Sequence, residues 1–226
     1  MKSINDTALD AFLGLIAEKG FAAVALRDVA EAAGAGMADL YRVYPDKVSL
    51  VAAFMARLDA EVLAGTPTRN DPEETARDRL FDVMMRRYDA LRPHRAALGA
   101  IRRAGTRDPM LALAMGPALR RSMAAMLEAA SVPSDGLTGA LRQNGLLAIH
   151  YAVSRVFDRD ETADLSKTMA ALDSRLKMAE RWAQFFDKYT KSPNQRTPRR
   201  ARIRLLREVF VQCTIIALDL LRCERR

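Results

Sequence analysis

The sequence has few of the residues that build catalytic centres, metal sites and disulfide frameworks. Its 226 residues include two histidines, two cysteines and one tryptophan, and both cysteines, Cys213 and Cys223, lie near the C-terminal end. There is no glycine-rich phosphate loop, no His-x-x-His or Cys-x-x-Cys pattern and no nucleophile elbow. We therefore expect a protein that is not an enzyme and that uses neither a cofactor nor a metal ion.

Long apolar runs are also missing. No run reaches the roughly 20 apolar residues that a transmembrane helix needs. Asp6 and Asp10 interrupt the apolar residues near the N-terminus, where a signal peptide would need an unbroken stretch. These absences favour a reduced, cytoplasmic protein.

Aromatic and β-branched residues are sparse, whereas alanine, leucine, arginine and methionine are common. This composition favours helices, and apolar residues recur at helical spacing between glycine and proline breaks. The pattern therefore predicts an all-α fold. The expected helices lie at about residues 5–19, 26–33, 37–43, 47–63, 71–91, up to 104, 109–130, 137–157 and 163–188.

The net charge of +8 is distributed unevenly along the chain. Residues 1–65 carry 6 basic and 9 acidic side chains, residues 66–190 carry 20 and 16, and residues 191–226 carry 10 and 3. Most of the positive excess therefore lies in the last 36 residues. The overall charge does not by itself indicate a nucleic-acid partner.

Residues 25–44, ALRDVAEAAGAGMADLYRVY, have the form of a helix-turn-helix. In this motif a support helix positions a second helix whose N-terminal side chains enter the major groove of DNA. Gly34 allows the tight turn, Leu40 faces the core, and the Tyr41 hydroxyl can reach a phosphate. Lys47 begins the next helix, where its charge and backbone N–H groups can approach the DNA backbone.

Residues 12–54, FLGLIAEKGFAAVALRDVAEAAGAGMADLYRVYPDKVSLVAAF, resemble the TetR family of transcriptional regulators. The EKGF, DVAEAAG and LYR-Y--K--L patterns, with their spacing, carry the resemblance. It implies a TetR-like fold, with an N-terminal three-helix helix-turn-helix domain at 1–63 and a C-terminal helical ligand-binding and dimerisation domain at 72–190. It also implies a homodimeric repressor that binds a palindromic double-stranded DNA operator and is released by a small apolar ligand. The residues expected on the DNA face are Arg27, Gly36, Met37, Ala38, Asp39, Tyr41, Arg42 and Lys47.

Several positions depart from the family pattern. Ala25 stands where threonine or serine often caps the second helix, Gly36 removes the usual cap of the third helix, and Asp39 replaces a threonine or serine. Aspartate repels phosphate, although it can accept a hydrogen bond from a cytosine amino group. Two interpretations stay open: Asp39 reads a base, or it marks a helix that no longer meets DNA.

Residues 155–182, RVFDRDETADLSKTMAALDSRLKMAERW, resemble the corresponding segment of ubiquinone-biosynthesis accessory proteins. These have a TetR-like fold but bind lipids and partner enzymes instead of DNA. The resemblance implies an alternative function as a lipid-binding accessory protein.

The middle of the chain is rich in methionine, which adapts to apolar ligands of varied shape. Ordinary core packing is the competing interpretation for each residue of the candidate pocket. The candidates are Met84, Tyr88, Met110, Met123, Met126, His150 and Tyr151.

The C-terminal extension, residues 191–226, is a basic, proline-containing linker followed by the apolar stretch LLREVFVQCTIIALDLL. Three interpretations compete. The stretch adds a helix to the body or the dimer, binds a membrane surface as a basic helix, or has no selected role.

Overall fold

The computed structural model describes residues 4–67 and 73–190, with side chains described for 5–67 and 73–181. Within these ranges the chain forms helices and no strand, which confirms the all-α prediction. A 3-10 turn (Arg92–His94) precedes the sixth helix. The α-helices are α1 (Ile4–Lys19), α2 (Leu26–Ala32), α3 (Met37–Val43), α4 (Lys47–Ala64), α5 (Ala76–Leu91), α6 (Arg95–Arg107), α7 (Pro109–Ala129), α8 (Gly136–Phe157) and α9 (Ser166–Thr190).

Most predicted helix ends agree with the structure because a glycine or a capping side chain marks them. After α1 the chain turns at Gly20, whose φ of +82° lies in the left-handed region that glycine adopts without strain. α4 begins with a reciprocal cap: the Ser49 N–H donates to the Asp46 carboxylate at 2.7 Å, and the Asp46 N–H donates to the Ser49 hydroxyl at 3.3 Å.

The predicted start of α5 at residues 71–74 is wrong. The helix begins at Ala76, because Thr75 supplies the cap and its hydroxyl accepts a hydrogen bond from the Asp78 N–H at 3.2 Å. The predicted end of α6 near residue 104 is also wrong, since the helix continues to Arg107. Asp108 then caps α7 by accepting from the Met110 N–H at 3.0 Å.

The predicted start of α9 at residue 163 is wrong as well, since the helix begins at Ser166. The buried carboxylate of Asp160 organises the preceding turn. It accepts hydrogen bonds from the Thr168 N–H and hydroxyl, both at 2.7 Å, and from the Thr162 N–H at 3.2 Å. Burial alone would raise the pKa of Asp160, but the hydrogen bonds from Thr162 and Thr168 outweigh it and hold the pKa well below its usual value.

By packing, the described residues fall into two compact units: 4–67 with 83–129, and 73–82 with 130–190. In the first unit α4 packs against α7, and α1 packs against α2, α4 and α6. α4 therefore contacts both the helix-turn-helix bundle and the rest of that unit. The large side chains that are almost fully buried in this unit include Phe12, Ile16, Leu50, Phe54, Leu58, Met84, Tyr88, Met123 and Met126.

In the second unit α8 packs against α9. The buried apolar residues of the unit include Leu146, Val153, Phe157, Leu165, Leu172 and Leu176. Leu137 and Met169 are exposed, with 67% and 40% of their surface accessible.

The predicted division between a helix-turn-helix domain at 1–63 and a ligand-binding and dimerisation domain at 72–190 stays a prediction. The C-terminal extension, residues 191–226, lies outside the described residues. In the ranges that are described, no helix is long and apolar enough to cross a membrane. No group of three or more His, Cys, Asp or Glu side chains in those ranges is placed to hold a metal ion.

Candidate nucleic-acid interface

The turn between α2 and α3 is built by backbone hydrogen bonds around Gly34. Its φ is +62°, the left-handed conformation that glycine favours. The Gly34 N–H donates to the Glu31 carbonyl at 3.0 Å, and the Ala35 N–H donates to the Ala30 carbonyl at 2.9 Å. This is the pattern of a Schellman helix end. The turn predicted at Gly34 is thus observed, and it leads the chain directly into α3.

The start of α3 lacks a side-chain cap, as the sequence predicts from Gly36. The Asp39 carboxylate folds back toward this end, because its Oδ2 lies 3.1 Å from the point where a Cβ on Gly36 would be. A negative charge in the first turn is favourable at the positive end of a helix. Asp39 also accepts a hydrogen bond from the Arg42 guanidinium at 3.1 Å. Asp39 thus stabilises α3 and binds one of the arginines expected to meet DNA.

The short helix α3 buries one face and exposes the other. Leu40 is buried at 3% exposure, whereas Met37 and Tyr41 are 44% and 58% exposed. Ala38 and Arg42 are also exposed. The structure therefore gathers the predicted α3 residues on one short, accessible helix.

The start of α2 also lacks a side-chain cap, because Ala25 has no acceptor. Asp28 compensates, since its carboxylate accepts a hydrogen bond from the Ala25 N–H at 2.8 Å. Arg27 on the same turn is exposed, as a DNA-facing residue requires. The sequence signal for Asp28 was its position three residues after the cap, where acidic side chains commonly close the first turn.

The Lys47 ammonium, predicted to approach DNA, contacts the protein's own backbone. Its Nζ donates to the carbonyl oxygens of Phe21 and Val24, each at 2.8 Å, and lies 4.7 Å from the centroid of the Phe21 ring. Burial lowers the pKa of Lys47. The side chain thus joins the start of α4 to the turn between α1 and α2, and its contact with DNA stays a prediction.

The charge of the helix-turn-helix is balanced. Between residues 25 and 47 there are three basic side chains and four acidic ones. Of the basic three, Arg27 and Arg42 are exposed, and Lys47 is partly buried. This surface therefore lacks a strongly positive field. Binding of DNA to it would depend on its shape and on a small number of cations.

The predicted pocket residues do not share one environment. Met84, Tyr88, Met123 and Met126 are fully buried in the first unit, whereas Met110 is 71% exposed. His150 and Tyr151 lie half-buried on α8 in the second unit. The ligand pocket stays a prediction.

A surface groove of about 360 Å³ lies in the second unit, and none of the predicted pocket residues lines it. Carboxylates dominate its wall. The lining residues are Glu74, Arg77, Asp78, Phe81, Asp82, Asp173 and Leu176.

A buried arginine, Arg87 of α5, was missed by sequence reasoning. It is fully buried and forms an ion pair with Asp59 of α4. The signal was its spacing, since Arg87 lies on the same helical face as the buried residues Val83, Met84 and Leu91.

Residues 8–54 match the sequence model of the tetR family of bacterial regulatory proteins. The match begins in α1, includes the whole helix-turn-helix and ends within α4. No curated protein matches the chain.

Solved structures of TetR-family regulators have the same fold. A TetR transcriptional regulator from Nitrosomonas europaea superposes with a TM-score of 0.63 at 21% identity, over 79% of this chain and 99% of that one. A TetR transcriptional regulator from Rhodococcus sp. RHA1 gives a TM-score of 0.56 at 21% identity, over 77% of this chain and 94% of that one. In the sequence of residues 8–54 and in its helical fold, the chain is thus similar to the TetR family of bacterial regulatory proteins.

Proposed function

We propose that this chain is a homodimeric transcriptional repressor that binds a palindromic DNA operator through α3. The observation that carries the proposal is the geometry of α3. This helix of seven residues follows the Gly34 turn, is anchored by Leu40, and exposes Met37, Tyr41 and Arg42. A short, exposed second helix on a support helix is the arrangement that reads the major groove.

A dimer supports this function because two copies of α3 can read two half-sites about 34–36 Å apart. Exposed apolar side chains on α8 and α9, Leu137 and Met169, favour this pair of helices as the subunit interface.

We propose that a small apolar ligand releases the operator. The methionines buried with Tyr88 in the first unit, Met84, Met123 and Met126, support a site for such a ligand, since methionine side chains repack at low cost.

The charge balance sets a quantitative expectation. If Arg27 and Arg42 of each subunit neutralise phosphates, a dimer neutralises about four phosphates through its helix-turn-helix motifs. The logarithm of the binding constant then falls with the logarithm of salt concentration with a slope of about −3.6.

Genomic selection of DNA fragments by the purified protein tests the proposal. We expect discrete palindromic sites, and we expect Arg27→Ala and Arg42→Ala to weaken binding to them by about tenfold or more. Arg121→Ala is the matched control, because this exposed arginine of α7 lies outside the helix-turn-helix and its loss should leave affinity unchanged. Sequence-independent binding that disappears when residues 191–226 are deleted would contradict the proposal.

The second candidate is a lipid-binding accessory protein. One observation favours it: Asp39 pairs with Arg42, so one of the two exposed cations of the motif is already partly neutralised. If no operator is selected, mass spectrometry of lipids that copurify with the protein distinguishes this function. A protein free of lipid would exclude it.

A further inference from the structure

A buried polar cluster joins three helices of the first compact unit. The guanidinium of Arg87 on α5 forms an ion pair with the Asp59 carboxylate on α4. The Ser122 hydroxyl on α7 donates to the same carboxylate oxygen at 2.6 Å. Arg87 is fully buried, and the Asp59 side chain is only 15% exposed. One carboxylate thus fixes the mutual position of α4, α5 and α7.

This cluster is poorly suited to stabilising the core. Buried ion pairs contribute little more to stability than apolar residues of similar volume, because both charges lose water. The Arg87 Nε–H is buried and finds no acceptor among the residues that the structure describes, and its NH2 group meets only the Met55 sulfur, at 3.6 Å. An unpaired buried donor carries a further cost. The cluster therefore calls for an explanation other than stability.

The cluster fixes the position of α4. The apolar residues that are buried in the same unit include Met84, Met123 and Met126, which adapt to small displacements of their neighbours. Hydrogen bonds weaken steeply when donor and acceptor lose alignment. The hydrogen bonds to Asp59 therefore resist a sliding or rotation of α4 that methionine packing would tolerate.

α4 carries this constraint to the DNA-reading motif. Lys47, in its first turn, is hydrogen bonded to the carbonyls of Phe21 and Val24 in the turn before α2. From Lys47 to Asp59 the helix rises about 18 Å, at about 1.5 Å for each residue. A displacement at Asp59 therefore moves the helix-turn-helix with it.

We propose that Arg87, acting through Asp59 with Ser122, is a positioning residue that holds α4 in the place required for operator binding. This inference rests on the proposed function, because it assigns a role in operator affinity. The role is separate from stability. A variant that lacks both charges should therefore be as stable as the wild-type protein but bind the operator more weakly.

The test compares Arg87→Met with the double variant Asp59→Leu/Arg87→Met. The single variant leaves Asp59 without its ion-pair partner and should unfold at a lower denaturant concentration. The double variant should recover the wild-type midpoint, yet bind the selected operator about tenfold or more weakly. Asp89→Leu/Arg92→Met is the matched control, because it removes an exposed pair of the same residue types. An affinity within about twofold of wild type in the double variant would overturn the proposal.

Hydrogen exchange of α4 keeps this test separate from the question of DNA binding. Without DNA, amides of α4 should exchange about tenfold faster in the double variant than in the wild-type protein. Unchanged exchange would overturn the positioning role whether or not an operator exists. If α4 exchange rises but the wild-type protein selects no operator, the proposed function fails and the link to operator affinity fails with it.

Discussion

Replacing Lys47 with methionine removes the ammonium that holds the turn between α1 and α2 against the start of α4. The Nζ lies 2.8 Å from the carbonyl oxygens of both Phe21 and Val24. Methionine keeps much of the apolar length of lysine but donates no hydrogen bond, so both carbonyls lose this donor. The turn that precedes α2 is then held by apolar packing alone at this point.

The magnitude follows from the two hydrogen bonds that the substitution removes. A hydrogen bond to or from a charged group contributes about 1.5–3 kcal/mol. The site is only partly buried, so water replaces part of each bond. We expect the free energy of unfolding to fall by about 2–4 kcal/mol. Because the ammonium is engaged with the backbone, we expect the salt dependence of operator binding to stay unchanged.

Urea denaturation measures the first quantity, and operator binding between about 50 and 200 mM salt measures the second. Arg42→Met is the matched control, since its side chain is 74% exposed and should affect stability by less than about 0.5 kcal/mol. It should flatten the salt slope by about 0.9 for each phosphate that is no longer neutralised. A Lys47→Met variant with wild-type stability and a flatter slope would refute the reasoning, because Lys47 would then bind phosphate.

Three further predictions concern the turn, the start of α3 and the loop before α9. Gly34→Ala should lower the free energy of unfolding by about 1–2 kcal/mol, because alanine is strained at a φ of +62°; Gly14→Ala, at an exposed position inside α1, should raise it in the same denaturation assay. Asp39→Ala removes a negative charge and releases Arg42 from its ion pair. Operator binding measured by fluorescence anisotropy should therefore become tighter and fall more steeply with salt concentration. Weaker binding would instead mean that Asp39 reads a base. Asp160→Asn should cost on the order of 2 kcal/mol at neutral pH. The lowered pKa of Asp160 stabilises the wild-type fold above about pH 4, and this contribution is lost as pH falls toward the folded-state pKa. The denaturation midpoints of wild type and Asp160→Asn should therefore converge in acid, and a constant gap would contradict the assignment.

Local signals in the sequence were sufficient for the helix-turn-helix because they act between residues close together in the chain. Gly34, Leu40 and the start of α3 at Met37 were all predicted and observed. The start of α5 was predicted wrongly although its signal was also local. Thr75 and Asp78 form a capping pair, and the helix begins at this pair instead of at residues 71–74.

The sequence could not predict the partners of Lys47 and Arg87. Lys47 meets a carbonyl 26 residues earlier, and Arg87 meets a carboxylate 28 residues earlier. The helical spacing of Arg87 indicates that it is buried but not which acceptor it meets, and the residues beside Lys47 in the chain do not indicate that its ammonium faces backbone carbonyls.

The sequence by itself therefore determined the all-α fold, the resemblance of residues 12–54 to TetR-family regulators and the exposed face of α3, since helix periodicity, turns and caps depend on short-range chemistry. Only the tertiary structure decided that Lys47 is engaged with the backbone and that Asp59, Arg87 and Ser122 share one buried cluster. Those interactions arise from helix packing, which brings together side chains as far as 63 residues apart and exchanges water for protein partners.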